Sequence, residues 1–149
     1  MLSDTLTEPN LITGGFHSDT RGGISFINDF DMSPIKRFYT ITHLDTKVVR
    51  AWQGHKKERK WFYVTKGEFQ LLLVRPDDWI HPSFDLRCKE YTLQAASYQI
   101  LQVPAGYASG FKALIPDSEI MVFSDQSLSD SLNDDFRFDK DLWYNWNKL

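Results

Sequence analysis

Short segments rich in β-branched and aromatic residues alternate with turn signals along most of this chain. The segments cover residues 23–30, 37–43, 48–52, 60–65, 68–74, 89–93, 97–103, 110–113 and 119–124. The turn signals between them include Lys66-Gly67, Pro76-Asp-Asp78, Pro104-Ala-Gly106 and Pro116-Asp117. Many short strands with regular breaks are typical of β-sandwiches and barrels. We therefore predict a single all-β domain over residues 1–149, with a jelly roll as its topology.

The two ends of the chain are less regular. The first dozen residues are expected to form a loose arm or an edge strand. Residues 14–23 carry paired glycines at both ends, which predicts a turn or a short hairpin. Residues 23–30 alternate with Ile24 and Phe26 on one face, which predicts a half-buried strand. Residues 127–135 favour a short helical turn, and residues 136–146 a tail that packs back on the domain.

Composition limits the possible partners and the compartment. The formal net charge is −3 and basic residues concentrate between Arg50 and Lys60, so we expect a small anionic ligand rather than a nucleic acid. The single cysteine, Cys88, excludes an internal disulfide and favours a reducing compartment. No signal peptide is recognisable, and no apolar run approaches the roughly 18–20 residues of a membrane span. We therefore predict a soluble cytoplasmic protein without a membrane partner.

The run from residue 48 to residue 67 contains the densest group of reactive side chains. It reads as a strand, a polar turn, a second strand and a glycine stop, with Arg50, Gln53, His55 and Lys60 among aromatic residues. Polar side chains between two β segments favour a pocket. Two simpler interpretations stay open: Arg50 pairs with an acidic neighbour, and His55 belongs to a solvated turn together with the charged residues 56–60.

The same run can be compared with the metal site of the cupins, where three histidines and a glutamate converge from two strands. Gln53 stands at the first histidine position and Ser109 at the third. Glu58 follows His55 too closely for the usual spacing. An amide and a hydroxyl are poor replacements for two imidazoles, so we expect no metal and no other cofactor.

Four motifs, spread over residues 15–146, resemble those of the nucleotide-sugar cupins. They are Asp19-Thr-Arg-Gly22, Arg50-Ala-Trp-Gln53 followed by Lys60, Pro104-Ala-Gly-Tyr-Ala-Ser-Gly-Phe111, and Asp139 seven residues before Trp146. In this order they resemble the dTDP-4-dehydrorhamnose 3,5-epimerases. Two stretches, Lys36-Arg-Phe-Tyr39 and Arg50-Ala-Trp-Gln-Gly-His-Lys56, are similar to motifs of the dTDP-sugar 3,4-ketoisomerases. In the latter comparison His55 matches the second histidine of the motif.

The resemblance implies a cupin-type jelly roll and a metal-independent epimerase or isomerase of a nucleotide-linked 4-keto-6-deoxysugar. Such a reaction removes a proton next to the ketone and returns one, which requires a base, a cation for the enolate oxygen and an acid. The implied catalytic roles are His55 as base, Asp139 as its orienting carboxylate, and Lys60 or Arg50 as the cation. The implied substrate-binding residues are Arg21 for the diphosphate, Tyr39, Trp52 and Tyr107 for the sugar or base, and Gln53 and Ser109 within the matching motifs.

The resemblance leaves other functions open. Gln53 replaces the histidine that is the base in the epimerases, and no tyrosine acid follows the segment 119–124. A catalytically inactive cupin that binds a nucleotide sugar or a carbohydrate is therefore an alternative, and a metal-dependent cupin such as a small dioxygenase is a third hypothesis. The resemblance also implies a homodimer in which the N-terminal segment of one subunit, with Arg21, reaches the site of its partner.

Overall fold

Two antiparallel five-stranded sheets pack face to face, and a separate two-stranded hairpin lies beside them. The computed structural model describes residues 6–149. The first sheet has the spatial order β1 (Asn10–Thr13), β9 (Gln99–Val103), β6 (Lys60–Lys66), β11 (Ser118–Ser124) and β4 (Arg37–His43). The second has the order β12 (Phe136–Arg137), β5 (Val49–His55), β10 (Tyr107–Ala113), β7 (Glu68–Val74) and β8 (Lys89–Gln94).

The remaining elements are short. The hairpin consists of β2 (Gly15–Asp19) and β3 (Gly22–Phe26), which pair only with each other among the described strands. A five-residue helix, α1 (Leu128–Leu132), begins after Ser127, whose side chain caps it by accepting from the Asp130 amide. Single 3-10 turns occupy Ala95–Ser97 and Trp146–Lys148. No helix within residues 6–149 is long and apolar enough to cross a membrane.

The central core lies between the inner faces of the two sheets. In β6, Phe62 and Val64 point into this core, while Trp61 points to the outer face and packs with Ile100 and Phe123. That outer face is covered by the connection between β3 and β4, which contributes Ile27, Phe30 and Ile35. Both faces of β6 and β11, near the middle of the first sheet, are therefore largely shielded from water, whereas Phe38 on the neighbouring β4 is exposed.

The central strands of the second sheet, β10 and β7, are also covered on both faces, and this explains the apolar run over residues 71–74 of β7. Phe69, Leu71 and Leu73 face the central core, whereas Leu72 and Val74 face outward. The outward pair packs with Trp52 and with Trp146 from the C-terminal tail. A stretch of strand that is buried on both faces tends to be apolar at consecutive positions rather than at alternate ones.

The all-β jelly-roll prediction with a short helical C-terminal segment is confirmed, and one predicted strand is wrong in its burial and in where it ends. Residues 23–30 do not form a half-buried strand: β3 ends at Phe26 and every residue in it is exposed. Among the described strands, β2 and β3 pair with neither five-stranded sheet, and Ile24 and Phe26 are both exposed, so their alternation does not mark a buried face. β1 is the predicted edge strand, and residues 1–5 of the predicted arm lie outside the described part of the chain.

Candidate functional site

A cavity of about 740 Å³ opens between the two sheets. This volume suits a small-molecule ligand. Its walls come from both sheets, from α1 and from the C-terminal tail. The lining residues include Arg37 and Tyr39 on β4, Arg50, Trp52 and Gln53 on β5, Lys60 on β6, Ser109 on β10, Leu128, Ser131 and Leu132 on α1, and Asp135, Arg137 and Phe138.

A bulge in β5 lets two key side chains face the cavity. Ser109 of β10 lies opposite Gln53 and Phe111 lies opposite Arg50, so a two-residue step on β10 matches a three-residue step on β5. In a regular strand Arg50 and Gln53 would point to opposite faces, because side chains alternate. The same stretch contains a cis peptide bond between Ala51 and Trp52.

A chain of hydrogen bonds runs along one wall from Lys60 to Arg137. The Lys60 Nζ donates to Gln53 Oε1 at 3.1 Å, and Gln53 Nε2 donates to Asp135 Oδ1 at 3.1 Å. Arg137 holds Asp135 through two bonds, from Nε to Oδ1 at 2.7 Å and from Nη2 to Oδ2 at 3.1 Å. The Gln53 amide is therefore engaged at both ends, between a cation and a carboxylate.

Burial lowers the pKa of the Lys60 ammonium. Its side chain is almost completely enclosed, and withdrawal from water lowers the pKa of Lys60 to about 8. The negative charge of Glu58 opposes this shift. Tyr39 responds to the same surroundings in the other direction: burial, with a smaller effect of Glu58, raises the pKa of Tyr39 to about 12, so its phenol remains protonated.

Glu58 is a fully buried carboxylate behind the cavity wall. It accepts from Ser124 Oγ at 2.8 Å and from Ser131 Oγ at 2.6 Å, and Arg37 Nη2 lies 3.7 Å away. Ser131 belongs to α1 and also accepts from Arg37 at 2.9 Å. Buried carboxylates are rare unless they are paired in this way, and here the pairing attaches α1 to the sheets.

His55 lies next to Glu58 and is held in one tautomer. Its Nδ1 is 2.6 Å from the Asp134 carbonyl oxygen, which only accepts, so Nδ1 carries the hydrogen. Its Nε2 is buried and has no hydrogen-bond partner within residues 6–149. Burial, and then the charge of Lys60, lower the pKa of His55, which favours the neutral ring. The imidazole does not form part of the cavity wall.

Arg50 is oriented by a second buried histidine. Its Nε donates to His43 Nε2 at 3.1 Å, and His43 packs between the rings of Phe69 and Phe111. Burial, together with the charge of Arg50, lowers the pKa of His43, so its ring stays neutral and accepts this bond. Within residues 6–149, the side chain of Arg50 is thus bonded to an imidazole and not to a carboxylate.

The cavity wall contains six of the ten residues that the sequence predicts for the site. They are Arg50, Lys60, Gln53, Tyr39, Trp52 and Ser109. His55 lies behind the wall, and the other three lie elsewhere. Arg21 projects from the hairpin and pairs with Asp19 at 2.6 Å, and the phenol of Tyr107 contacts Arg75 at 2.9 Å. Asp139 is exposed and accepts from the Asp141 amide, while the recorded partners of His55 are Asp134 and Glu58.

Four charged residues of the site were missed as functional residues by the sequence interpretation: Arg37, Glu58, Asp135 and Arg137. The alternation of Asp135 and Arg137 before an aromatic tail was the available signal, but the register of that tail is set by pairing with β5. Glu58 was considered only as a metal ligand. Within residues 6–149 there is no group of three or more His, Cys, Asp or Glu side chains that could hold a metal ion.

Comparison with known proteins gives structural matches only. No protein-family model matches the chain, and no curated protein matches it. A variant of the 3,4-ketoisomerase from Thermoanaerobacterium thermosaccharolyticum, in complex with TDP-4-keto-6-deoxyglucose, is similar with a TM-score of 0.68, 21% identity and 90% of both chains covered.

Two further structures extend the comparison. The dTDP-4-dehydrorhamnose 3,5-epimerase from Bacillus anthracis, with TDP and PPi bound, has a TM-score of 0.75 and 20% identity, covering 94% of this chain and 85% of its own. A dTDP sugar isomerase from Desulfovibrio desulfuricans has a TM-score of 0.76 and 17% identity, covering 96% of this chain and 93% of its own. The chain therefore has the cupin-type fold of the dTDP-sugar epimerases and 3,4-ketoisomerases.

Proposed function

We propose that the protein isomerises a nucleotide-linked 4-keto-6-deoxysugar, by removing a proton next to the ketone and without a metal. The observation that carries the proposal is the cavity wall in which buried Lys60 and oriented Arg50 both face the ligand space. Cations fixed in a site shielded from water stabilise the oxyanion of an enolate. The ligands named for the structural neighbours, TDP and TDP-4-keto-6-deoxyglucose, support the choice of substrate class.

The position of each residue in the cavity suggests its role in the proposed reaction. Lys60 or Arg50 holds the developing negative charge on the carbonyl oxygen, and Tyr39 remains protonated and can donate a hydrogen bond or a proton. Arg37 and Arg137 add positive charge to the same cavity and suit a diphosphate. His55 is the base that the sequence predicts. Its neutral ring fits that role, as does its Nε2, which has no hydrogen-bond partner within residues 6–149, although the ring lies outside the cavity wall.

Incubation with dTDP-4-keto-6-deoxyglucose in heavy water, followed by proton NMR, tests the proposal. We expect deuterium at a carbon next to the ketone, or a new ketosugar. The His55→Gln variant tests the role of His55, with His81→Gln as the matched control, because His81 is exposed. Neither exchange nor a new sugar with the wild-type protein would contradict the proposed reaction.

A binding function without catalysis is the second candidate, and the state of Gln53 favours it. At the position where the resemblance places the base of the epimerases, the amide is fixed between Lys60 and Asp135. An amide does not accept a proton at neutral pH. Calorimetry with dTDP would then show binding, while the heavy-water experiment would show no exchange at any sugar carbon.

We also propose that the protein is a homodimer, in which Arg21 acts on the partner's site. All of β3 is exposed, including Ile24 and Phe26, and an isolated two-stranded hairpin is marginally stable in water. Light scattering coupled to size exclusion should give a dimer mass. Ile24→Glu should give a monomer, whereas Ile80→Glu, at an equally exposed loop position, should remain dimeric. A monomeric wild-type protein would contradict this proposal.

A further inference from the structure

We propose that Lys60, rather than His55, is the base that takes the substrate proton, and that Gln53 is the positioning residue for its amine. This inference rests on the proposed isomerase function. It assigns to Lys60 a role different from holding the enolate oxygen. It also assigns a positioning role to Gln53, which stands where the resemblance to the epimerases places a histidine.

Lys60 has the placement and the partner that a base requires. It forms part of the cavity wall, and its Nζ donates a hydrogen bond to the neutral amide oxygen of Gln53. Within residues 6–149 it forms no ion pair with a carboxylate. An ammonium tied to a carboxylate loses its proton reluctantly, whereas one that faces a neutral amide in a dry site releases it more easily.

Gln53 can hold the Lys60 amine in only one way. Its Nε2 donates to Asp135 and its Oε1 accepts from Lys60, with both distances at 3.1 Å. A flipped amide would point its NH2 group at the ammonium and its oxygen at the carboxylate, and both contacts would be repulsive. Arg137 in turn fixes Asp135 through two bonds. The sequence of contacts Asp135–Gln53–Lys60 therefore orients the amine much as a carboxylate orients a catalytic imidazole.

The electrostatic surroundings support the assignment. Because burial brings the pKa of Lys60 down to about 8, a useful fraction of the amine is neutral near physiological pH. Glu58 prevents a larger fall and so keeps the protonated form accessible after the transfer. Arg50, held by His43, remains available for the enolate oxygen, so base and cation are separate groups.

The step is a simple proton transfer that conserves atoms and charge. The lone pair of the neutral Lys60 Nζ takes the hydrogen of the carbon next to the ketone as a proton. The C–H electron pair becomes the C=C bond of the enolate, and the carbonyl π pair moves to the oxygen, beside Arg50. Return of a proton from the ammonium to the same carbon restores the ketone and the neutral amine. If the proton goes instead to the former carbonyl carbon, the hydroxyl on the neighbouring carbon passes its proton to the enolate oxygen, and the new ketone forms at that neighbouring carbon.

The dependence of kcat/KM on pH is the first test, using the heavy-water exchange of dTDP-4-keto-6-deoxyglucose as the assay. The wild-type rate should rise with pH through a pKa near 8 and then level off. Gln53→Glu places a carboxylate beside the ammonium, which stabilises the protonated amine. The rise of kcat/KM should therefore occur about one pH unit higher than in the wild type. Gln53→Leu should lower kcat by about tenfold with little change in KM. A wild-type profile without a limb near 8 would overturn the assignment.

Amine rescue is the second test, since a structural role does not produce it. Lys60→Ala should lose about 10²- to 10⁴-fold in kcat. Added methylamine or ethylamine should restore part of this loss, and the more basic amine should restore more. Lys57→Ala, at an exposed position in the preceding turn, should keep the wild-type rate.

The outcomes separate the two candidate bases from a failure of the function. Loss of exchange in His55→Gln, with exchange retained in Lys60→Ala, would overturn the proposal and leave the isomerase function standing. Absence of exchange in the wild-type protein would instead contradict the function itself. If Lys60→Ala does not fold, the profiles of the wild type and of the two Gln53 variants still decide the question.

Discussion

Folding withdraws the ammonium of Lys60 from water and places it against a neutral amide. Its pKa falls from 10.5 to about 8, so between these two values the unfolded chain binds more protons than the folded one. Stability must then rise with pH across this window, and below pH 8 the buried charge costs up to about 3 kcal/mol.

Lys60→Met should remove this dependence, because the thioether side chain fills a similar volume without a charge. We expect the variant to be more stable than the wild type at pH 7, with the difference shrinking towards pH 10. Urea unfolding at pH 7, 8.5 and 10 measures this difference. Lys57→Met is the control, and equal slopes with pH for wild type and Lys60→Met would contradict the prediction.

At the scale of single residues the sequence predicts part of the site. Arg50, Gln53 and Lys60 stand out because polar residues between apolar β segments usually face a pocket or a turn. Glu58 and Asp135 could not be assigned in this way, since their roles depend on contacts with residues 73 and 82 positions away, respectively. No local pattern carries information about such distant partners.

Among the elements, the turn between β6 and β7 depends on a glycine for two separate reasons. Gly67 has a φ of +77°, and a Cβ atom there would lie far inside van der Waals contact with the side chain of Ser118. The Ser118 Oγ accepts from the Glu68 amide and donates to the Ile115 carbonyl, so it cannot simply rotate away. A side chain at residue 67 would therefore disturb the pairing of β6 with β11 as well as the turn.

Gly67→Ala and Gly106→Ala form a matched pair that separates strain from collision. Gly106 also has a positive φ, +94°, but a Cβ there meets nothing within 4 Å. Each alanine should cost roughly 1–2 kcal/mol of backbone strain. Gly67→Ala should lose about 1–3 kcal/mol more through overpacking. Urea unfolding of both variants gives the two losses in free energy of unfolding. Equal losses would show that the Ser118 side chain moves aside without a measurable loss of stability.

The bounds of a strand are predicted well where its residue types favour β structure and turn residues stand at both ends. Residues 37–43 and 68–74 have the predicted bounds because β-branched and aromatic residues fill them and turn residues stop them. Residues 23–26 do form a strand, but the predicted burial was wrong, because an alternating pattern shows which side chains share a face and not whether another element covers that face. β12 was missed within the predicted tail, since its two residues form a strand only through pairing with β5.

At the scale of the whole molecule, the C-terminal tail packs against the outer face of the second sheet. Trp146 is buried against Trp52, and its indole Nε1 donates to the Lys140 carbonyl at 2.9 Å. Trp52 in turn lines the cavity together with Phe138. Packing outside the second sheet is therefore continuous with the wall of the candidate site.

Trp146→Ala should destabilise the entire domain, not only the tail. Loss of a buried tryptophan costs about 3–5 kcal/mol, a large part of the stability of a typical domain. Thermal unfolding should show a lower Tm with a single transition, together with weaker dTDP binding. Leu149→Ala, at an exposed position three residues further along the chain, should change neither value. A normal Tm with weak binding would mean that the tail is independent of the core.

The position of the cavity residues along the chain determines when, during translation, the pocket can form. The cavity takes its first wall residue from position 37 and its last from position 138, so almost the whole span of the described chain must leave the ribosome before the pocket is complete. A nascent chain that has delivered both sheets up to β11 still lacks Asp135, the anchor of Gln53. The proposed ligand binding therefore requires translation past Phe138, and occupancy of the site by a ligand would report that this point has been reached.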